Sequence, residues 1–389
     1  MFSEYNMILN SGLLFLLLFV AGFIGVKVKV PNVIIYIVLG IVVGGLFTEL
    51  KLLHVMGEIG IILLFFLLGL EFPIKRLVGI AKKVAPAGVL DVLLCLGLPM
   101  ALCLLFGLNL LTSFIIGGIT YATSSSITAK LLESNKRMAN TESEFMLGLL
   151  IFEDLVAPIV VAILVALTAG VGLTAFDFSM IFVKIIGMTI LAILLGVFVF
   201  SKLATFFDAY MDSDVMILLI VGLALAFGGW ALQLGLSEVL GAFLIGITLA
   251  EVKRPEPIEH LLLPMKDLLL PLFFLYFGTT IEFGAIPMLS LLIILIVYTI
   301  VAKVIVGIVG GKWYGLNKKT ALKAGLSLTA RGEFSVIIAS LAVGEYALFG
   351  GIYILITASI GIILFQLAPK IAIKVYGKEK LKTKIRIPS

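Results

Sequence analysis

Charge, cysteine and histidine are all scarce in this chain. Of its 389 residues, 13% are Asp, Glu, Lys or Arg, and there are two cysteines and two histidines. A water-soluble protein of this length needs a charged surface that such numbers do not supply. Cys95 and Cys103 share one apolar stretch. Their spacing is about 12 Å along a helix, too far for a disulfide, and both read as small core residues. His54 and His260 have no metal-ligand spacing, so no metal cluster is expected of them. There is no Walker loop, no GxGxxG after a strand, and no polar stretch long enough to house a nucleotide-binding unit. No histidine neighbours a membrane-embedded serine, which speaks against a serine hydrolase. The expectation is a protein that is not an enzyme and carries no cofactor. The N-terminus lacks a basic stretch before its first apolar run and a small-residue cleavage site after it, so that run is expected to stay as a helix.

What the chain has instead is apolar length. Hydrophobic residues make up 62% of it, with a mean hydropathy of +1.26. Segments of about 17–25 apolar residues recur from 9–26 to 350–372, about thirteen in all, each long enough for a bilayer core. The expected class is an all-α polytopic membrane protein, with a transmembrane domain over 1–376 and a short basic tail over 377–389. The net charge of +5 comes from short basic clusters between segments, not from a nucleic-acid-binding face. About 24 of the 28 Lys and Arg fall on one side, in loops after odd-numbered segments and in the tail, while only Lys51 and Lys184 lie opposite. By the positive-inside rule the N-terminus is outside and the C-terminus cytoplasmic, as expected for a multi-pass protein of the cell inner membrane.

Phe65-Phe66-Leu67-Leu68-Gly69-Leu70-Glu71-Phe72 in the third segment is echoed by Phe273 to Gly278 and Ile281-Glu282-Phe283 in the tenth. Seven segments separate them, and an odd offset inverts the second copy. Two inverted six-helix repeats joined by the seventh segment fit this pattern, which is the plan of secondary transporters. The same offset pairs the fifth segment, broken by Thr120 to Ser126, with the twelfth, broken by Ser327 to Ser335. Clustered hydroxyls and Gly332 loosen a helix, and irregular backbone at membrane depth is tolerated where it lines a cavity.

In the sixth segment, Glu153 and Asp154 sit inside an apolar run. A charge at the bilayer centre costs at least about 3 kcal/mol, so it is rarely there without a function. Asp154 is the first candidate for a monovalent cation site. Hydroxyls of Thr123, Ser124 and Ser125 and backbone carbonyls are candidates to complete the shell. Burial lets a proton compete with the cation for the same oxygens, which is the minimum machinery of an antiporter. Glu153 points about 100° away from Asp154 on a helix. It can pair with Lys303, hold a second charge or tune Asp154. Lys303, deep in the eleventh segment, needs a carboxylate among Asp154, Glu153 and Glu333. Arg331 and Glu333 read as charge-compensating supports of the broken backbone. Asp91, Glu238 and Asp267 read as solvated helix ends, Glu71 and Glu282 as caps, and Gly40, Gly44, Gly241 and Gly246 as close-packing positions.

With Gly69-Leu70-Glu71-Phe72, Ser124-Ser125-Ser126, Phe152-Glu153-Asp154, Leu240-Gly241-Ala242-Phe243 and Arg331-Gly332-Glu333-Phe334 in this order, the chain resembles the monovalent cation:proton antiporter-2 family. That family includes Kef-type potassium efflux antiporters and thirteen-helix sodium/proton antiporters. The resemblance implies the sodium/proton antiporter fold with crossed broken helices, Thr123 at their crossover, and Asp154 as the ion-binding aspartate. It further implies a homodimer whose mobile core takes in segments 3–6 and 10–13. The Glu-Asp pair looks closest to Kht-type potassium/proton antiporters, which favours K⁺ over Na⁺ and leaves room for a separate soluble regulatory subunit. A fused regulatory domain of the Kef kind is not expected. The alternatives are a cation channel gated by a separate subunit and a sodium-coupled organic anion symporter.

Overall fold

A chain this apolar satisfies its backbone within each segment, and helices do that without help from water. The computed structural model describes residues 7–28, 30–44, 51–70, 74–168, 175–196, 198, 213–250, 255–281 and 288–377. Glu71, Phe72, Glu282, Phe283 and the tail 378–389 lie outside the described residues. The helices are α1 (Met7–Val28), α2 (Asn32–Val43), α3 (Lys51–Leu70), α4 (Ile74–Val92), α5 (Leu98–Leu105), α6 (Leu110–Tyr121), α7 (Ser125–Ser134) and α8 (Thr141–Thr168). After them come α9 (Ala175–Leu195), α10 (Ser213–Gln233), α11 (Glu238–Ala250), α12 (Pro255–Thr279), α13 (Leu289–Tyr314), α14 (Lys318–Ser327), α15 (Glu333–Ala339) and α16 (Glu345–Tyr376).

A π-helical turn, Leu93–Gly97, joins α4 to α5 within one crossing. The pairs α6/α7 and α14/α15 are each one crossing broken near its middle. Counted that way, the described helices make the thirteen crossings expected. Eight helices among the described residues are long and apolar enough to span a bilayer unaided. Large apolar side chains such as Phe19, Leu218 and Val183 face outward. The chain is a multi-pass membrane protein.

The inverted repeat is written in two places. A left-handed glycine followed by an asparagine cap opens both broken crossings: Gly107-Leu108-Asn109 before α6 and Gly315-Leu316-Asn317 before α14. Asn109 Oδ1 accepts from Thr112 N, and Asn317 Oδ1 from Thr320 N, each at 2.8 Å. Leu108 N and Leu316 N reach back five residues to Cys103 O and Gly311 O, closing the preceding helices alike. The second mark is a pair of glycine crossings. Gly69 of α3 meets Gly246 of α11, and Gly278 of α12 meets Gly40 of α2, with backbone so near that a Cβ at any of the four would strike a carbonyl oxygen. Small residues at such points let membrane helices approach closely.

Packing sorts the crossings into two bundles. The first takes α1–α3 with α10–α12. The second takes α4–α8 with α13–α16. The third and tenth crossings therefore belong with the second and ninth, not with the broken helices. This corrects the core drawn from the resemblance, and the physical reason is the glycine crossings that bind α3 to α11 and α12 to α2. The chain changes bundle after α3, across α9, and after α12.

Candidate functional site

Both breaks leave helix ends in the middle of the second bundle. From Ala122 to Ser124 and from Leu328 to Gly332 the backbone is not helical, and the two stretches cross where Ser124 N donates to Ala330 O at 2.9 Å. Gly332 lies so near Ser124 that a Cβ there would overlap its side chain. Four helix ends meet at this crossing: the C-termini of α6 and α14 and the N-termini of α7 and α15. C-terminal carbonyls carry partial negative charge and N-terminal amides partial positive charge.

The charged pair two residues apart divides this work. Arg331, fully buried, donates from Nε to Thr120 O (3.0 Å) and from Nη1 to Thr123 Oγ1 (3.4 Å) and Leu328 O (3.5 Å), on the carbonyl side. Glu333, in the first turn of α15, accepts from Ser124 Oγ (2.8 Å) and Ser125 Oγ (3.3 Å), on the amide side. Both therefore stand at the broken backbone, on opposite sides of the crossing.

α8 brings Glu153 to this crossing. Glu153, 0% exposed, accepts from Thr123 N on Oε2 and from Lys303 Nζ on Oε1 at 3.0 Å. Thr123 Oγ1 stands 3.3 Å from Glu153 Oε1 and 3.1 Å from Leu328 O. Asp154, 4% exposed, follows on the next helical position. Of the three carboxylates offered to Lys303 by the sequence, the structure pairs Glu153 with it, at 3.0 Å.

The second partner of Lys303 was not foreseen. Asp91 Oδ1 lies 2.7 Å from Lys303 Nζ, and both side chains are 0% exposed. The solvated-end reading of Asp91 is corrected: its crossing begins at Ile74 and ends at Leu105, so Asp91 sits near the middle. The π turn just beyond it frees carbonyls that take outside donors, Thr120 Oγ1 to Cys95 O at 2.9 Å and Tyr298 Oη to Leu94 O at 2.7 Å. Asp267 is 68% exposed beside Lys266.

A cavity of about 670 Å³ opens between the bundles near the far end of α8. Glu58, Glu238 and Glu345 stand around it with His54, and Val161 and Ile337 are among its apolar lining. Val161 is two helical turns beyond Asp154, about 10 Å away. The other end of α8 is closed by a buried ion cluster. Glu142 Oε1 takes Lys323 Nζ at 2.7 Å, Asn140 Nδ2 at 3.0 Å and Arg137 Nη2 at 3.3 Å. Arg137 also reaches Ser327 Oγ and Phe365 O, joining the 135–140 loop to α14 and α16.

Residues 14–373 match the family described as "Sodium/hydrogen exchanger, transmembrane". The chain belongs to this family. Among curated relatives it is 61% identical, over 97% of both chains, to the ammonium/H⁺ antiporter subunit AmhT of Alkalihalophilus pseudofirmus. It is 27% identical, over 92% of both, to the K⁺/H⁺ antiporter subunit KhtU of Bacillus subtilis. The glutathione-regulated potassium-efflux protein KefC of Shigella sonnei is 29% identical over 67% of this chain and 43% of its own length. In fold the chain is similar to the sodium proton antiporter MjNhaP1 from Methanocaldococcus jannaschii, with a TM-score of 0.72 at 18% identity, covering 97% of this chain and all of that one. Membership of a monovalent cation:proton antiporter family and the crossed broken helices are as the sequence motifs implied.

Proposed function

We propose that this exchanger trades a monovalent cation for protons across the cell inner membrane by alternating access at Asp154, with Glu153 beside it. The observation that carries the reading is the position of the α8 acids: buried at membrane depth and tied through Glu153 to the crossing of two broken helices. A carboxylate there can hold a cation or a proton, and mutual exclusion couples the two flows. The hydroxyls of Thr123, which meets Glu153, and of Ser124 and Ser125, which meet Glu333 at the same helix crossing, are the proposed further oxygens. Family membership supports exchange over the gated-channel and organic-anion symport alternatives.

The transported ion is proposed to be NH₄⁺, on the strength of the 61% identity to an ammonium/H⁺ antiporter subunit. K⁺, of nearly the same ionic size, is the second substrate, supported by the K⁺/H⁺ relative. The excess of Lys and Arg in the loops after odd-numbered crossings supports an outside N-terminus. The cavity between the bundles then faces outward, and its acids would gather cations on that side. Both relatives are named as subunits, which supports a separate partner, with a soluble regulator on the cytoplasmic side as the proposed form. The apolar outward faces of α1 and α9 would meet lipid and a second copy of the chain.

The test is pH-gradient dissipation in proteoliposomes with NH₄⁺, K⁺ and Na⁺ in turn, read against protein-free liposomes because NH₃ crosses lipid unaided. Asp154→Asn should abolish cation-dependent proton movement while the protein stays monodisperse. Exchange retained in that variant would remove Asp154 from the site.

A further inference from the structure

The first broken crossing carries five hydroxyls between Thr120 and Ser125, and four of them are bonded. Thr120 Oγ1 donates to Cys95 O at 2.9 Å and Thr123 Oγ1 to Leu328 O at 3.1 Å, while Ser124 Oγ and Ser125 Oγ donate to Glu333. The fifth, Tyr121 Oη, makes no hydrogen bond among the described residues, although its side chain is 0% exposed. A buried phenol normally finds a partner, and leaving one without is costly. Its surroundings are anionic. The phenol interacts electrostatically with the carboxylates of Asp91, Glu153 and Asp154, in that order of strength. Lys303 does not supply the missing partner, because its ammonium bonds to Asp91 and Glu153. Tyr121 is the last residue of α6, two positions before Thr123, whose amide holds Glu153.

We infer that Tyr121 is a specificity-determining ligand: its phenol oxygen accepts from the transported cation beside the α8 acids and favours NH₄⁺ over K⁺. This rests on the exchange proposed at Asp154 and Glu153. A phenol that donates to none of the carboxylates around it keeps its oxygen available as an acceptor, and a small cation among those acids is the donor that completes it. The hydroxyl treats the two ions differently. An ammonium ion donates along fixed directions, so an acceptor lost from its shell leaves an N–H unsatisfied in a dry site. K⁺ has no such directions and can draw on a neighbouring oxygen instead. Hydrogen bonds from a charged donor are also about twice as strong as neutral ones, which makes one correctly placed oxygen count.

The experiment compares wild type with Tyr121→Phe, which removes the hydroxyl and keeps the ring. Exchange is measured in proteoliposomes at one fixed pH over a range of NH₄⁺ and then of K⁺, with protein-free liposomes subtracted. The KM for NH₄⁺ should rise about tenfold, equivalent to about 1.4 kcal/mol, and the KM for K⁺ by less than about threefold. The maximal rate should fall by less than the KM rises. A rise for NH₄⁺ no greater than that for K⁺ overturns the inference, and so does a hydroxyl that merely holds a permanent water, since both KM values then stay in place. Thermal unfolding of the purified protein gives a second readout. In N-methylglucamine the Phe variant should be at least as stable as wild type, because the hydroxyl it lacks had no partner, and NH₄⁺ should stabilise it less than wild type. A variant that unfolds earlier in N-methylglucamine, or does not fold, shows a hydroxyl bonded inside the protein and overturns the inference. A wild type that moves no cation against protons, or exchange retained in Asp154→Asn, refutes the exchange reading instead, which keeps the two failures apart.

Discussion

Arg331→Met measures how much of the helix crossing depends on one guanidinium. Methionine fills much of the volume and removes every donor. Thr120 O then loses the 3.0 Å bond from Nε, and Leu328 O and Thr123 Oγ1 lose their longer bonds from Nη1. Leu328 O keeps the Thr123 hydroxyl, so the main loss is at Thr120 O and in the missing positive charge opposite two helix C-termini. A charge-assisted hydrogen bond contributes about 1.5–3 kcal/mol. For a chain of this length the unfolding entropy is about 0.8 kcal/mol per degree, so the apparent Tm should fall by about 2–4 °C. Arg331→Lys keeps the charge but cannot fork toward both carbonyls, and should lose less than half as much. Thermal unfolding of the detergent-solubilised protein, followed by size-exclusion, gives both numbers. A Met variant within about 1 °C of wild type, on the same scale, would show that the carbonyl ends need no cation.

Gly246→Ala drives a Cβ into Phe66 O, whereas Gly222, also inside a helix, has nothing within 4 Å of the added atom. The first should lose about 1–3 kcal/mol and the second gain about 0.5–1 kcal/mol, read as opposite shifts in apparent Tm. Gly40→Ala, the repeat mate of Gly246, should cost a similar amount, and a large disparity would argue against equivalent crossings. Glu142→Gln leaves Arg137 and Lys323 without their shared anion. It should destabilise by about 3 kcal/mol, partly relieved because Lys323 is near the surface, and the same unfolding assay checks it.

The features legible in the sequence were those that interrupt apolar runs. Ser124, Ser125 and Gly332 announced the breaks because polar and flexible residues have few other uses at that depth. Glu153 announced itself as one possible partner of Lys303 for the same reason. Asp91 escaped because the apolar run around it seemed to start at residue 85, whereas the helix starts at Ile74. The amphipathic first turns carry Lys75, Arg76, Lys82 and Lys83, which hide the length of the crossing. The Gly-Leu-Asn-x-x-Thr turns at 107 and 315 are nearly identical in sequence, yet they stand at the edges of the hydrophobic segments. The Phe-rich echo at 65 and 273 gave the correct offset. Which bundle it joined depended on the backbone approach at Gly69 and Gly278, a property of pairs of helices that no single segment displays.

Each bundle draws three crossings from either half of the chain, so neither half owns a complete interior. A protein of half this length, built to the same plan, would find partners for its buried faces only in a sister molecule threaded through the bilayer the opposite way up. The turn around Asn109 and its counterpart around Asn317 already serve at opposite surfaces of the membrane. Such a fragment would therefore have to be equally at home in either orientation, and any strong bias of its basic loops would leave it without a mate.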